Sequence, residues 1–480
     1  MASAPAITPS EREAAGKAAR SRLRRKAQGL WEPAPDRPDP VKTLERQDET
    51  RTAALVPIRH GRMLASPFAF YRGSAAIMAE DLAAMPSSGL EAQLCGDAHL
   101  ANFGAFMAPD RRMIFDISDF DETYPGPFEW DVKRLAASFA VAARGRGFKH
   151  GERRPLATSV AGEYRREIRR LAAMRDLDVW YSRVDVETIE QFRSRVSASR
   201  SKQLERRISK AENKNSLRAL SKLTRQEDDS LRIISDPPLI VPIDEVGAEQ
   251  HIPIDLEAVI KGLIEEYRRT LHPDVRRLAE RYRYVDASHK VVGVGSVGTR
   301  CWIVLMLGRD DHDPLFLQVK EAGPSVLEPY AGRRRFRHQG RRVVEGQRLM
   351  QAASDIFLGW LTGPGIGRPA LEYYVRQLWD GKGSAQIERF DLETMHVYAT
   401  LCAWTLARGH ARSGDPIAIA GYLGGGDGFD RALGNFAEAY ADQNERDYEA
   451  FAAAVDSGRI EAQQELSAGA RQQQPPVPTQ

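Results

Sequence analysis

Three cysteines in 480 residues, Cys95, Cys301 and Cys402, have neither metal-ligand spacing nor an even pairing, which excludes a disulfide scaffold and fits a reducing compartment. The chain also lacks any apolar run near the roughly 18 residues of a membrane span. Its opening stretch has no apolar core and does not read as a secretory signal. An excess of one charge is missing as well: 69 Lys and Arg against 66 Asp and Glu leave a net charge of +3. Such a balance argues against wholesale nucleic-acid binding and leaves only local basic patches. These absences together predict a soluble, cytoplasmic chain that engages no membrane.

What remains is ordinary globular composition, 42% hydrophobic and 28% charged. The length is large for one core and suits two or three packed subdomains. Residues 1–48 read as a basic, solvated helix or tail with seven Lys and Arg between Arg12 and Lys26, then a linker rich in proline. Residues 49–283 read as a mostly helical block, with strand, loop and strand over 90–117 and a helix over 128–145. An Arg-rich helical stretch over 150–235 stops at Asp236-Pro237-Pro238, and another helix covers 254–283. Residues 284–380 change character: three strands with Cys301–Leu307 in the middle, a helix from Arg341, and a strand over 371–378. Long helices fill 381–460, including 391–411, and 461–480, rich in Gln, Ala and Pro, reads as a disordered tail. No internal repeat is present.

The sharpest motif is Gly96-Asp97-Ala98-His99-Leu100-Ala101-Asn102. It sets a carboxylate and an amide five residues apart on one loop. Phosphoryl transfer needs such a pair, the Asp to take the proton of an attacking hydroxyl and the Asn oxygen to hold a metal. His99 lies between them as a second catalytic candidate. Taken alone, Asp and Asn after a glycine are more often turn formers. The next segment changes the balance: Asp116, Asp119, Asp121 and Glu122 fall within seven positions at a strand end. So much negative charge repels itself unless cations, helix ends or a metal compensate. With Asn102 one strand-turn away, a Mg²⁺ site outweighs a solvated acidic turn.

A second constellation is Gly293-Val294-Gly295-Ser296-Val297-Gly298, whose glycines let backbone N–H groups approach phosphates. A dinucleotide-binding turn expects a helix next, whereas a strand follows here, so a hairpin over ATP fits better. Lys320 ends the third strand and Glu345 lies on the following helix, the order of the kinase pair that holds the α- and β-phosphates. Weaker features are the basic run Arg333, Arg334, Arg335, Arg337, Arg341 and Arg342, the pair Arg62 and Arg72 around an apolar segment, and His410, Arg412 and Asp415 closing the long helix.

GDAHLANF and SDFDETYPGPFEWDVKRLAA resemble the segments that carry catalysis in the aminoglycoside phosphotransferase and choline kinase branch of the kinase-like superfamily. In that branch the metal-binding Asp precedes a helix-starting Asp by about a dozen residues, an interval that Asp119 and Asp131 match. Asp116 fits the usual distance from the Asn better. The resemblance therefore implies Asp119 as the principal ligand, with Asp116 and Asp121 as candidates. Cys95 stands where that branch usually carries His. The full pattern, with GRMLASPFAFYRG, VGVGSVGTR and VVEGQRLMQAASDIFLGW, closely resembles over about residues 40–455 the bacterial family known as domain of unknown function 2252, which is grouped with the kinase-like superfamily.

The resemblance implies an α+β, protein-kinase-like two-lobe fold, circularly permuted, with a mostly helical large lobe and a small antiparallel-sheet lobe. It implies an ATP- and Mg²⁺-dependent phosphotransferase. Asp97 is then the base, Asn102 and Asp119 the metal ligands, Lys320 the phosphate clamp, Glu345 its partner, and Gly293, Gly295 and Gly298 the phosphate cover. The partners are a nucleotide and a small-molecule or protein acceptor that no motif identifies. Nucleotidyl transfer would use the same parts. Two other classes stay open: a metal-dependent hydrolase built on Asp97, His99, Asp116, Asp119 and Asp121, and a non-catalytic nucleotide-binding scaffold.

Overall fold

The computed structural model describes residues 8–185, 216–227, 230–245, 256–291, 293–332, 336–363, 370–378 and 383–463. Val292, Arg333, Arg334, Arg335 and most of the expected C-terminal tail lie outside them. The protein is mixed α+β, and its sheets are antiparallel. Among the described residues no helix is long and apolar enough to cross a membrane.

The largest sheet has six strands in the order Gly359–Gly363, Leu371–Gln377, Pro314–Glu321, Cys301–Leu307, Arg283–Lys290 and Ile240–Pro242. Its centre is the CWIVLML run, whose β-branched and aromatic residues suit a pleated, buried surface. The expected strands from 284 to 321 are present, and the glycine-rich segment joins the first two as a hairpin with Trp302 opposite His289. Two strands add to them. Gly359–Gly363 is short and glycine-ended, and Ile240–Pro242, from ahead of residue 284, pairs with the last residues of the first hairpin strand, Ser288, His289 and Lys290. The helix Leu256–Arg269 packs on the Gly359–Gly363 edge, where Tyr267 donates to the Phe357 carbonyl and is buried. Helical character over 150–235 holds for His150–Ala172, Asp176–Tyr181 and Ser216–Leu223, then gives way to a hairpin of Thr224–Glu227 with Ser230–Ile233. That hairpin is fastened to the large sheet by Asp286, which accepts from the Ile233 N–H.

The helical body is built on Phe128–Gly145, which is buried at every position from Phe128 to Ala143. A helix buried all round must partner each charge it carries. Glu129 accepts from the Ser88 backbone and hydroxyl, and the Lys133 ammonium sits 4.9 Å from the centre of the Phe436 ring. Asp131 and Arg134 turn to the loop that begins at Cys95. Around this helix pack His150–Ala172, Leu392–Ser413 and Gly428–Asp456.

The N-terminal helix, Pro9–Ala18, is solvated over most of its residues, as its charge suggests, but it is docked along one face. It lies on Pro416–Leu423, with Gly16 so close that a Cβ would stand 1.9 Å from the Ala418 carbonyl oxygen. Arg20 and Arg25 donate to the carbonyls of Gly421, Tyr422 and Leu423, the open end of that helix, where cations are favoured. Downstream, Arg37 bridges the buried carboxylates of Asp81 and Asp447, and Pro40–Asp48 is helical where an extended linker was expected.

Candidate functional site

The loop between Leu94 and Phe103 is fastened at its base and its tip. At the base, Asp131, in the first turn of its helix, accepts from the backbone N–H groups of Cys95 and Gly96. His410 reaches Asp131 at 3.3 Å, and Tyr164 hydrogen-bonds the other nitrogen of that ring. Gly96 takes φ +84, and a Cβ there would meet the Glu122 carbonyl oxygen at 2.1 Å, so only glycine lets the two acidic segments approach this closely. At the tip, Arg134 Nε donates to Asp97 Oδ1 at 2.5 Å. Asn102 Nδ2 donates to the Asp97 carbonyl, which fixes the amide, and its Oδ1 has no partner among the described residues.

His99 is buried, and its Nδ1 accepts from the Ala101 N–H. That bond places the ring proton on Nε2, 3.6 Å from Asp97 Oδ2. Burial pushes the imidazole pKa down to about 3, against the pull of Asp97, so the ring is neutral.

The acidic residues separate by environment. Asp116 lies inside the body, paired with Arg408 and accepting from the Ile117 and Ala352 N–H groups. Burial raises its pKa, partly offset by Arg408. It lines neither cavity described below, so the candidacy drawn from its spacing to Asn102 does not carry over to the cleft: the side chain of a strand residue points into the core here. Asp121 reaches across to the sheet. Lys320 Nζ donates to its Oδ2 at 2.6 Å, the Tyr374 hydroxyl to its Oδ1 at 2.6 Å, and the Ser296 hydroxyl to Oδ2 at 3.2 Å. Burial works against its charge, but Lys320 and Tyr374 outweigh this and hold the carboxyl at about 2. Lys320 is likewise held charged by Asp121, its pKa well above the usual lysine range although burial opposes it. Asp119 accepts only from the Asp121 N–H and has no cation partner among the described residues.

Glu345 does not pair with Lys320. Its carboxylate sits on Arg341 of its own helix at 2.7 Å, 43% exposed. The helix Gln339–Met350 turns Arg342 inward instead, where it donates to the Asp121, Thr123 and Gly323 carbonyls. The side chain four residues before the one expected to pair is thus basic, local and outward, and the acid that meets Lys320 comes from the far side of the cleft.

Two adjoining cavities, of about 930 and 670 Å³, open between the body and the sheet. Asp97, His99, Asn102, Asp119, Asp121, Gly293 and Gly295 line the larger. Asn102, Asp119, Gly293 and Lys320 line the smaller. Gly298 lines neither; it takes φ +89 and packs on Arg51, and its carbonyl accepts from the Thr52 N–H. Among the described residues no three His, Cys, Asp or Glu side chains converge as a metal shell. Residues that sequence reasoning passed over are Arg134, Ser296 and Tyr374. Arg134 had a signal, one helical turn after Asp131; Tyr374 had none, since only the pairing of Leu371–Gln377 with Pro314–Glu321 sets it opposite Lys320.

The geometry defines a class: a mixed α+β protein in which an Asp/Asn loop, an acidic turn and a glycine-rich hairpin share one cleft. The particular family follows from the chain itself. Residues 51–454 match the family described as an uncharacterized protein conserved in bacteria (DUF2252), and the chain belongs to it. No curated protein and no solved structure matches the chain.

Proposed function

We propose that this protein is an ATP- and Mg²⁺-dependent phosphotransferase with a kinase-like fold whose two lobes occur in reversed order along the chain, a circular permutation. The observation that carries the reading is the Lys320–Asp121 contact across the cleft, 199 positions apart in sequence. It brings the strand lysine and the glycine-rich hairpin of one part onto the Asp97, Asn102 and Asp119 segment of the other. The order along the chain, catalytic segment first and glycine-rich hairpin later, is what a permutation produces, and close chain ends make such permutations tolerable.

The donor set fits the group. Mg²⁺ bound with a nucleotide keeps several waters and takes one or two protein oxygens beside the phosphates. Among the described residues Asp119 has no cation partner and Asn102 Oδ1 no donor; both residues line the same walls and meet that need. Bound there, Mg-ATP would supply the phosphoryl group and neutralise its charge. Asp97, oriented through Oδ1 by Arg134, offers Oδ2 to take the proton of an acceptor hydroxyl. Lys320 is kept charged and aimed by Asp121, the part that Glu345 was expected to play. The hydrolase alternative asks His99 to ligate a metal, yet its Nδ1 is taken by the Ala101 N–H and its Nε2 faces Asp97.

Calorimetric titration of ATP with and without Mg²⁺ tests the proposal, followed by mass analysis of the protein for added phosphate or AMP. Mg-ATP is expected to bind the wild type and raise its Tm by mass action, and Asp119→Asn is expected to lose most of that rise. Equal shifts in both proteins would remove Asp119 as a ligand, and no binding of ATP under any condition would overturn the reading. AMP on the protein would redirect it to nucleotidyl transfer.

A further inference from the structure

We propose that Arg72 is an anion-binding residue of the cleft, placed to receive a metal-bound phosphate group between the Asp97–Asn102 loop and the glycine-rich hairpin. Arg72 lies in the last turn of Pro67–Gly73 and lines both cavities. Its backbone carbonyl stands 3.2 Å from where a Cβ on Gly295 would be, so the residue abuts the hairpin directly.

The decisive feature is what its guanidinium lacks. Nε is fully enclosed without an acceptor, and no nitrogen of the group makes a hydrogen bond or ion pair among the described residues. Other arginines of the same walls are engaged: Arg46 with Glu80, Arg51 with the Val297 carbonyl, and Arg376 with Gln318 and the Ser118 carbonyl. An enclosed N–H left unpaired is costly, and the planar fork of guanidinium donors matches a phosphate two oxygens at a time. Burial lowers its pKa, while the fields of Asp97, Glu388 and Asp119 oppose that shift.

The support beneath Arg72 is rigid and shared with the catalytic candidate. Arg134, which holds Asp97, also donates to the Tyr71 carbonyl, and the Tyr71 hydroxyl donates back to the Arg134 carbonyl. On the other side Arg59 donates to the Gly73 carbonyl. The nearby carboxylates of Asp97 and Asp119 would repel a bare anion. They favour one that arrives with a divalent cation, as in a nucleoside polyphosphate or pyrophosphate. The identity of the ligand as a nucleotide rests on the phosphotransfer reading; the anion site itself does not.

The test compares wild type, Arg72→Gln and Arg72→Lys in the full chain by calorimetry, using Mg-ATP, Mg-pyrophosphate and adenosine. Arg72→Gln is expected to weaken Mg-ATP and Mg-pyrophosphate at least tenfold and to leave adenosine unchanged. Arg72→Lys, which keeps the charge and loses the fork, is expected to fall between. Should Arg72→Gln fail to fold, Arg72→Lys against wild type carries the same comparison. If Mg-ATP binds wild type and the Arg72 variants equally, this inference fails and the phosphotransfer reading stands. If Mg-pyrophosphate binds in an Arg72-dependent way while Mg-ATP never binds, this inference stands and the nucleotide reading fails. If wild type binds neither anion, both fall.

Discussion

Two acid–base pairs whose acids, Asp116 and Asp121, lie five residues apart in the chain sit in different regions and differ in access. In the helical body, Asp116 and Arg408 are sealed together, with the Asp116 side chain 1% exposed. At the seam between body and sheet, Asp121 and Lys320 form the same kind of pair, but the Asp121 side chain is 28% exposed and the neighbouring walls are open cavity. The chemistry of the two pairs is alike; access separates them. A pair closed on all sides can only fasten packing, whereas a pair at a cleft can exchange partners with a ligand.

The largest expected effect sharpens this contrast on the side of the body. Asp116→Ala leaves the Arg408 guanidinium buried and uncompensated, which costs about 3–5 kcal/mol. Denaturant unfolding is expected to show that loss, and a smaller one for Asp121→Ala, because removing the partly exposed Asp121 side chain opens Lys320 to water in the cleft. A larger loss at Asp121 would break the comparison.

On the side of the cleft, Asp97→Asn keeps an oxygen for Arg134 and so keeps the loop, but removes the proposed base. Turnover is expected to fall roughly 10²- to 10⁴-fold with nucleotide affinity nearly intact. Steady-state rates beside calorimetry check this, and a collapse of Mg²⁺ affinity would instead make Asp97 a ligand.

Within the seam, two adjacent carboxyls respond to pH in opposite directions. Asp121 sits at about 2, below the roughly 3.9 of an unfolded chain. Its contribution to stability is therefore complete above about pH 4 and is lost as pH falls towards 2. Burial pushes the neighbouring Glu122 up to about 7, a shift that the Val326 N–H and Arg342 only partly oppose. The folded chain keeps that proton when an unfolded one, near 4.3, has released it, so Glu122 makes stability decline as pH rises from about 4 to 7. Urea midpoints across pH are expected to show this decline flatten in Glu122→Gln and persist in Asp121→Asn.

The smallest effect is expected at Glu345. Its exposed pair with Arg341 is worth about 0.3–0.5 kcal/mol, and Glu345→Ala is expected to leave Mg-ATP binding unchanged by calorimetry. A large loss of affinity would restore the Lys320–Glu345 partnership and remove Asp121 from that role.

Much of the architecture was legible locally. The helix over 128–145 and the strands Cys301–Leu307 and Pro314–Glu321 follow from periodicity and β-branched runs, which act within a few residues. The glycines of the 293–298 turn announced a hairpin because a strand, not a helix, followed them. The short edge strands Gly359–Gly363 and Ile240–Pro242 carried no such signal; each is a strand only because a neighbour offers it a ladder.

For the site, the sequence alone determined which acids, amide, lysine and glycines to consider, because loop chemistry and spacing are local properties. Which of them meet was decided by tertiary structure. Asp116, Asp119 and Asp121 are indistinguishable as letters, yet among the described residues one is paired with Arg408 inside the body, one has no cation partner, and one holds Lys320. The same holds for Arg72, an ordinary helical arginine until packing encloses its Nε with no acceptor among the described residues. Ion pairs form over a few ångströms and between any segments that packing brings so near, and no spacing along the chain encodes that proximity.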